Sequence, residues 1–319
     1  MGKLYISMYH YTRELKNSRY PNIKGLDVKL FKKQLDFLKA NFTIVTMEEV
    51  IEYWNGSDKK LPENALLLTF DDGYIDNFMV AYPILKNKGL QGSFFIPGKT
   101  ICENCLLDVN KIHFTLASAN EKELLKDLLE QLDYYRGNGT DYYPSNEELL
   151  ENYAIASRFD TKETIFIKRI LQTVIPEQVR NCIASNLFQK YVGLSEDVFA
   201  RELYLNHEQL RCMKKDGMFI GAHGYEHYWL NHLEKKKMEQ DIEKSLSAIE
   251  EFIQLDAWVM NYPYGSYGRE VVECISKKGC KLGLTTEARV VDLDKDNKYL
   301  LPRLDCNDFP PKSENFRIF

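Results

Sequence analysis

Residues 65–70, Ala-Leu-Leu-Leu-Thr-Phe, form an almost unbroken apolar run that ends on Asp71-Asp72-Gly73. A strand without polar alternation must be covered on both faces, as happens in a parallel sheet flanked by helices. In such sheets the residues that do chemistry collect at the carboxyl ends of the strands. The same unit recurs along the chain. Residues 4–8 alternate as a strand and stop at Tyr9-His10, and Asp27 reads as the N-cap of a helix burying Val28, Phe31, Leu35 and Leu38. Strands are expected over 42–46, 92–96, 218–222, 258–262 and 281–285, with a last extended segment at 300–303. Helices are expected over 47–54, 77–88, 207–216 and 270–278. Between the strands at 218 and 258, the apolar positions Leu233, Met238, Ile242, Leu246, Ile249 and Ile253 mark a further, amphipathic helix.

Residues 100–206 differ in character. Leu124, Leu125, Leu128, Leu129 and Leu132 have helical spacing, as do Ile165, Ile167, Ile170, Leu171 and Val174, and no strand pattern intervenes. The expectation is an α/β fold, a parallel β/α barrel forming one domain over 1–319 with a helical insertion at about 100–206.

Composition narrows the function by exclusion. With 42 basic and 47 acidic residues the formal charge is -5, and no long basic run offers a nucleic-acid surface. No stretch of 18 apolar residues suggests a membrane span. The N-terminus lacks the apolar core and small-residue site of a signal peptide, so a cytoplasmic location, with contact at the inner membrane face as a variant, is the expectation. Seven scattered cysteines suit reduced thiols, and Cys102-x-x-Cys105 has no second pair to make a structural zinc site.

Three short motifs fall after three of the expected strands: Thr69-Phe-Asp-Asp-Gly73, His223-Gly-Tyr-Glu-His227 and Tyr262-Pro-Tyr-Gly265. Strand ends meet on one face of a β/α barrel, so these distant motifs can share a site. Two histidines at i and i+4 with the carboxylate of Asp72 make a two-His, one-carboxylate set that leaves coordination positions open. Each motif alone has a plain reading, a turn or a structural histidine pair; their conjunction points to one divalent metal, zinc first, with iron, nickel or cobalt fitting the same ligands.

That conjunction resembles the polysaccharide deacetylases of carbohydrate esterase family four, whose scaffold is a distorted β/α barrel of about seven strands. Thr69-Phe70-Asp71-Asp72-Gly73-Tyr74 matches the first family motif in full. The resemblance implies Asp71 as general base, Asp72, His223 and His227 as metal ligands, and the Tyr264 backbone N–H as an oxyanion donor. It covers roughly residues 1–100 and 207–305 and leaves the helical insertion outside.

Two departures stand out. The third motif usually carries an arginine that orients the base, where this chain has Asn261; Arg303 in Leu301-Pro-Arg is the substitute, or else part of a surface salt bridge. The family's catalytic histidine normally lies on a late strand, and no histidine follows His232. His10 after the first strand has the right form, as in a circularly permuted member, and is the expected general acid, with a structural strand-end histidine as the alternative. The second motif usually has Ser or Thr after its first histidine. Here Gly224 stands there, so a loop-fixing hydrogen bond is missing.

The activity implied is metal-dependent hydrolysis of an N-acetyl or N-formyl group on an amino sugar. The substrate would be an oligosaccharide or a nucleotide-linked or lipid-linked precursor of a surface glycan. Two other readings are a barrel that binds glycan without turnover, and a zinc peptidase using His223-x-x-Glu226-His227 as a helical H-x-x-E-H motif. Tyr134, Tyr135, Tyr142, Tyr143 and Tyr153 in the insertion suggest a cap on the barrel mouth or a face for homo-oligomerisation.

Overall fold

The computed structural model describes residues 2–138 and 143–318. The chain divides into two compact units. The first comprises Met1–Glu14, Gly25–Asn104 and Arg201–Phe319, and the second Leu15–Lys24 and Cys105–Ala200.

The first unit holds the strands. β1 (Lys3–Tyr9), β2 (Thr43–Val45), β3 (Asn64–Phe70), β4 (Ser93–Ile96), β5 (Phe219–Ala222), β6 (Val259–Asn261) and β7 (Leu282–Leu284) pair in parallel around a curled sheet in the order β1-β3-β4-β5-β6-β7, with β2 beside the first half of β3. The seam is filled from the end of the chain. Leu301 bridges in parallel to Leu284, and Leu304–Asp305 pairs with Ser7 and Met8 of β1. This is the distorted β/α barrel, and its first strand lies beside its last extended segment.

Period-two alternation sorts the side chains onto the two faces. Leu4, Ile6, Ala65, Leu67, Phe95, Phe219, Val259, Leu282, Leu284 and Leu301 form one buried cluster. Leu66, Leu68, Phe70, Phe94, Ile96, Ile220 and Met260 form another with residues of α1 (Val28–Asn41), such as Phe31, Leu35 and Leu38. The apolar run at 65–70 is therefore covered on both faces, as its composition requires. Asp27 caps α1 by accepting the Lys29 N–H at 2.9 Å. A capping box of Thr46 and Glu49 starts α2 (Met47–Trp54).

Several boundaries moved. The helix expected over 77–88 begins as a π-helical turn, Asn77–Ala81, before α3 (Tyr82–Asn87). Of the segment at 300–303 only Leu301 pairs, because the chain crosses the seam there and resumes pairing at Leu304. Two short pairings escaped the pattern: Thr12–Arg13 with Leu26–Asp27 in parallel, and Val291–Asp292 antiparallel to the start of β1. Two-residue strands carry no periodicity to read.

The second unit is helical, with α4 (Asp108–Ser118), α5 (Glu121–Asn138), α6 (Asn146–Tyr153), α7 (Lys162–Arg169) and α8 (Glu177–Tyr191). Leu124, Leu128 and Leu132 align along α5 and pack with Phe166, Ile167, Ile170 and Leu171. Tyr143 belongs to this core, its hydroxyl donating to the Leu132 carbonyl at 2.7 Å, so it is not a surface tyrosine; Tyr134 is exposed, and Tyr142 lies outside the described residues. Among the described residues no helix is long and apolar enough to cross a membrane.

Rings from three adjacent strands join the outer face of the sheet. Phe70 of β3 stacks on Tyr9 of β1 at 5.0 Å and on Phe94 of β4 at 4.7 Å, and meets Phe31 edge-on at 6.1 Å. Phe70→Ala should lower the unfolding free energy by about 3–5 kcal/mol in urea denaturation. A loss under about 1 kcal/mol would mean these stacks do not hold the strands together.

Candidate active site

Register brings the motifs together. Asp71 follows β3, and its N–H donates to the carbonyl of Tyr9 in β1 at 2.9 Å, which sets it beside His10. His223 follows β5 directly, and Tyr264 comes three residues after β6. Among the described residues four non-glycine residues have left-handed backbone, and three of them are Asp72 (φ +71°), His227 (φ +58°) and Tyr264 (φ +58°). Such conformations cost about 1–3 kcal/mol each and persist where the surroundings over-determine them, which is characteristic of functional sites.

Asp72, His223 and His227 are all buried and offer ligand atoms within 4.8 Å of one another. Asp72 Oδ1 lies 3.2 Å from Nε2 of both histidines. Its other oxygen accepts the Tyr74 hydroxyl at 2.5 Å, while Oδ1 itself accepts no hydrogen bond in the protein. His223 Nδ1 lies 2.7 Å from the Asn261 carbonyl, which can only accept, so Nδ1 carries a proton and Nε2 is the nitrogen turned toward Asp72. Burial pushes His227 below its ordinary value, past the opposite pull of Asp72. Burial alone would raise the Asp72 carboxyl, but the two imidazoles beside it hold it well below the usual range. A buried carboxylate oxygen without a donor, 3.2 Å from two imidazole Nε2 atoms, fits a divalent cation.

Asp71 is held differently. Arg303, fully buried, donates from Nη1 to Asp71 Oδ1 and from Nη2 to Oδ2, both at 2.8 Å. The guanidinium is itself fixed, with Nε donating to the Thr285 carbonyl at 2.8 Å and Nη1 to Thr69 Oγ1 at 3.1 Å. This pair is no surface salt bridge. Burial would push the Asp71 carboxyl up, and the positive charge of Arg303, helped by His10, outweighs it and holds the group below its usual value. His10 Nε2 stands 3.7 Å from Asp71 Oδ2, and its side chain is 38% exposed. Asn261, in the motif position usually held by arginine, is buried with both side-chain amide atoms unpartnered.

An aromatic wall completes the site. Tyr264 stacks on Trp229 at 5.1 Å and meets the His227 ring at 4.7 Å. Trp229 and the Tyr74 hydroxyl are contributions that motif reading missed. The only sequence signal for them is proximity, Trp229 two residues after His227 and Tyr74 two after Asp72. The segment from His223 to His227 is not helical, and Glu226 pairs with Lys99 at 2.5 Å. The helical H-x-x-E-H reading is thereby corrected: a glycine at φ +67° (Gly224) and the preceding strand impose a loop.

The strand ends of the parallel β/α barrel thus gather an Asp-His-His cluster and a second, arginine-held aspartate. The polysaccharide deacetylase family model matches residues 58–134 and 152–283, most of the chain, and the protein belongs to this family. The match runs through most of the helical stretch, which the motifs alone had left outside, and stops short of both His10 and Arg303. The chain is similar to the YxkH protein of Bacillus subtilis (strain 168), which bears the family's name, at 21% identity over 304 residues, 95% of this chain and 71% of that one. Its fold is similar to the Streptococcus pyogenes deacetylase PplD solved in complex with acetate, with a TM-score of 0.60, 16% identity, and coverage of 99% and 96% of the two chains. The de-N-acetylase from Aggregatibacter actinomycetemcomitans gives 0.59, at 15% identity over 98% and 99%, and IcaB from Ammonifex degensii 0.57, at 17% over 99% and 96%.

The Arg303–Asp71 pair makes a stability prediction. Arg303→Met leaves a buried carboxylate uncompensated and should cost about 3–5 kcal/mol in chemical denaturation. Adding Asp71→Leu should recover most of that loss. A single variant as stable as the parent would contradict the pairing.

Proposed function

We propose that the chain is a metal-dependent N-deacylase that removes an acetyl or formyl group from an amino sugar. The observation that carries the reading is the buried Asp72 Oδ1, which has no hydrogen-bond donor and faces the Nε2 atoms of His223 and His227. Asp72, His223 and His227 would hold the ion. Zinc, or another divalent metal held there, would supply a Lewis acid for the amide carbonyl and lower the pKa of water.

The chain's own residues do the rest. Asp71, kept ionised by Arg303, takes the proton from the attacking water. The Tyr264 backbone N–H donates to the oxyanion as it forms. His10, next to Asp71 and part-exposed, gives a proton to the departing amine, which is otherwise a poor leaving group. His10 and Arg303 reach the site from the two ends of the chain because β1 and the segment after Leu301 are neighbours across the seam. We read this as the permuted form of a site whose histidine and arginine otherwise sit elsewhere in the sequence. The Trp229–Tyr264 stack offers a face to a sugar ring. Filling of the arginine's place from Arg303 supports turnover over a barrel that only binds glycan.

The test is to incubate zinc-loaded protein with N-acetyl and N-formyl amino sugars, free, as oligosaccharides, and carried on nucleotides or lipids, and to follow acetate and formate release. Release from at least one sugar is expected. Asp71→Asn should cut the rate about 10²–10⁴-fold, as loss of a general base does, while Glu226→Gln, whose side chain faces Lys99, leaves it within about threefold on the same logic. No release from any sugar, with cleavage of a peptide instead, would overturn the reading.

A further inference from the structure

Position 224, in the loop between the two histidines, is glycine where the motif resemblance implies a hydroxyl residue. The loop is tied nonetheless, from a helix. Asp241 lies in the helix Lys235–Ala248 and is 5% exposed. Its Oδ1 accepts the N–H of Tyr225 at 2.8 Å and its Oδ2 the N–H of Glu226 at 2.9 Å. One carboxylate thus takes two consecutive amides lying between His223 and His227. From the opposite direction, the carbonyls of Gly224 and Tyr225 accept the N–H groups of Gly98 and Lys99 at 2.9 and 3.1 Å.

Gly224 fits this arrangement in two ways. Its φ of +67° favours glycine, and a Cβ there would stand 3.2 Å from Asp241 Oδ1 and 3.1 Å from Pro263 Cγ. The space that a side chain at 224 would need is occupied in part by the carboxylate. Buried amides need acceptors, and one carboxylate supplies two here. The clamp also acts where force is needed, since His227, one residue beyond Glu226, has the left-handed backbone that relaxed chains avoid.

We infer that Asp241 is a positioning residue of the histidine pair, supplying from a helix the loop anchor that a hydroxyl at position 224 would otherwise provide. The inference rests on the reading of Asp72, His223 and His227 as metal ligands. Outer-shell partners of this kind typically change metal affinity by about 10–100-fold when removed.

The test measures the zinc dissociation constant of the folded chain by competition with a chromogenic chelator. Parent, Asp241→Ala and Asp241→Asn are compared at a temperature where circular dichroism shows each to be folded. The parent should bind one zinc per chain. Asp241→Ala should bind about 100-fold more weakly, and Asp241→Asn about 10-fold, because its amide keeps one acceptor and turns a donor toward the other N–H. If the alanine variant does not fold, the asparagine variant decides the matter alone. A role confined to stability would lower the melting temperature of the metal-free variants and leave zinc affinity unchanged, which overturns the inference. Absence of zinc binding by the parent would overturn the metal reading and this inference together. Parent binding with unaltered variants overturns this inference alone.

Discussion

Two imidazole nitrogens, each 3.2 Å from the same buried carboxylate oxygen, with no hydrogen bond reaching that oxygen, are an arrangement that calls for positive charge. Much of the surrounding structure can be read as what holds these atoms against their preference. Tyr74 fixes one oxygen of Asp72 and leaves the other pointing at the histidines. The Asn261 carbonyl sets the tautomer of His223. Left-handed backbone at Asp72 and His227 turns each side chain inward at a cost the barrel must offset through its packed strands.

The second aspartate shows a different solution to the same burial. Asp71 has its counter-ion within the protein, and Arg303 reaches it because the chain's last extended segment closes the seam of the barrel. A buried ion pair gives little net stability against an apolar replacement, so its presence here speaks for a function that needs an ionised carboxylate at that spot. Closing the barrel and completing the site are thus accomplished by the same few residues, 301–305.

Much of this was legible in the residues. Strand-end motifs announced Asp71, Asp72, His223, His227 and Tyr264, since a parallel barrel gathers strand ends on one face. Arg303 and His10 could be named only as candidates, because their placement depends on which strands meet across the seam, and no local pattern encodes that. The Tyr74 hydroxyl and the Asp241 carboxylate were not legible either, because the hydrogen bonds through which they act, one to Asp72 and two from the Tyr225 and Glu226 N–H groups, leave no mark on the sequence pattern. The segment Leu15–Lys24, which carries no strand or helix pattern, belongs to the helical unit, where Tyr20 meets Phe114 and Phe199 edge-on at 5.0 and 5.7 Å. Contacts between residues 94 and 179 positions apart leave no periodicity to detect.

The central claim is that Asp72, His223 and His227 form a metal centre, and a crystal structure of zinc-soaked protein with data collected on both sides of the zinc absorption edge tests it most directly. The account predicts a single strong anomalous peak about 2.0–2.2 Å from Asp72 Oδ1, His223 Nε2 and His227 Nε2. A peak bound elsewhere, or none at this cluster under saturating zinc, would contradict it.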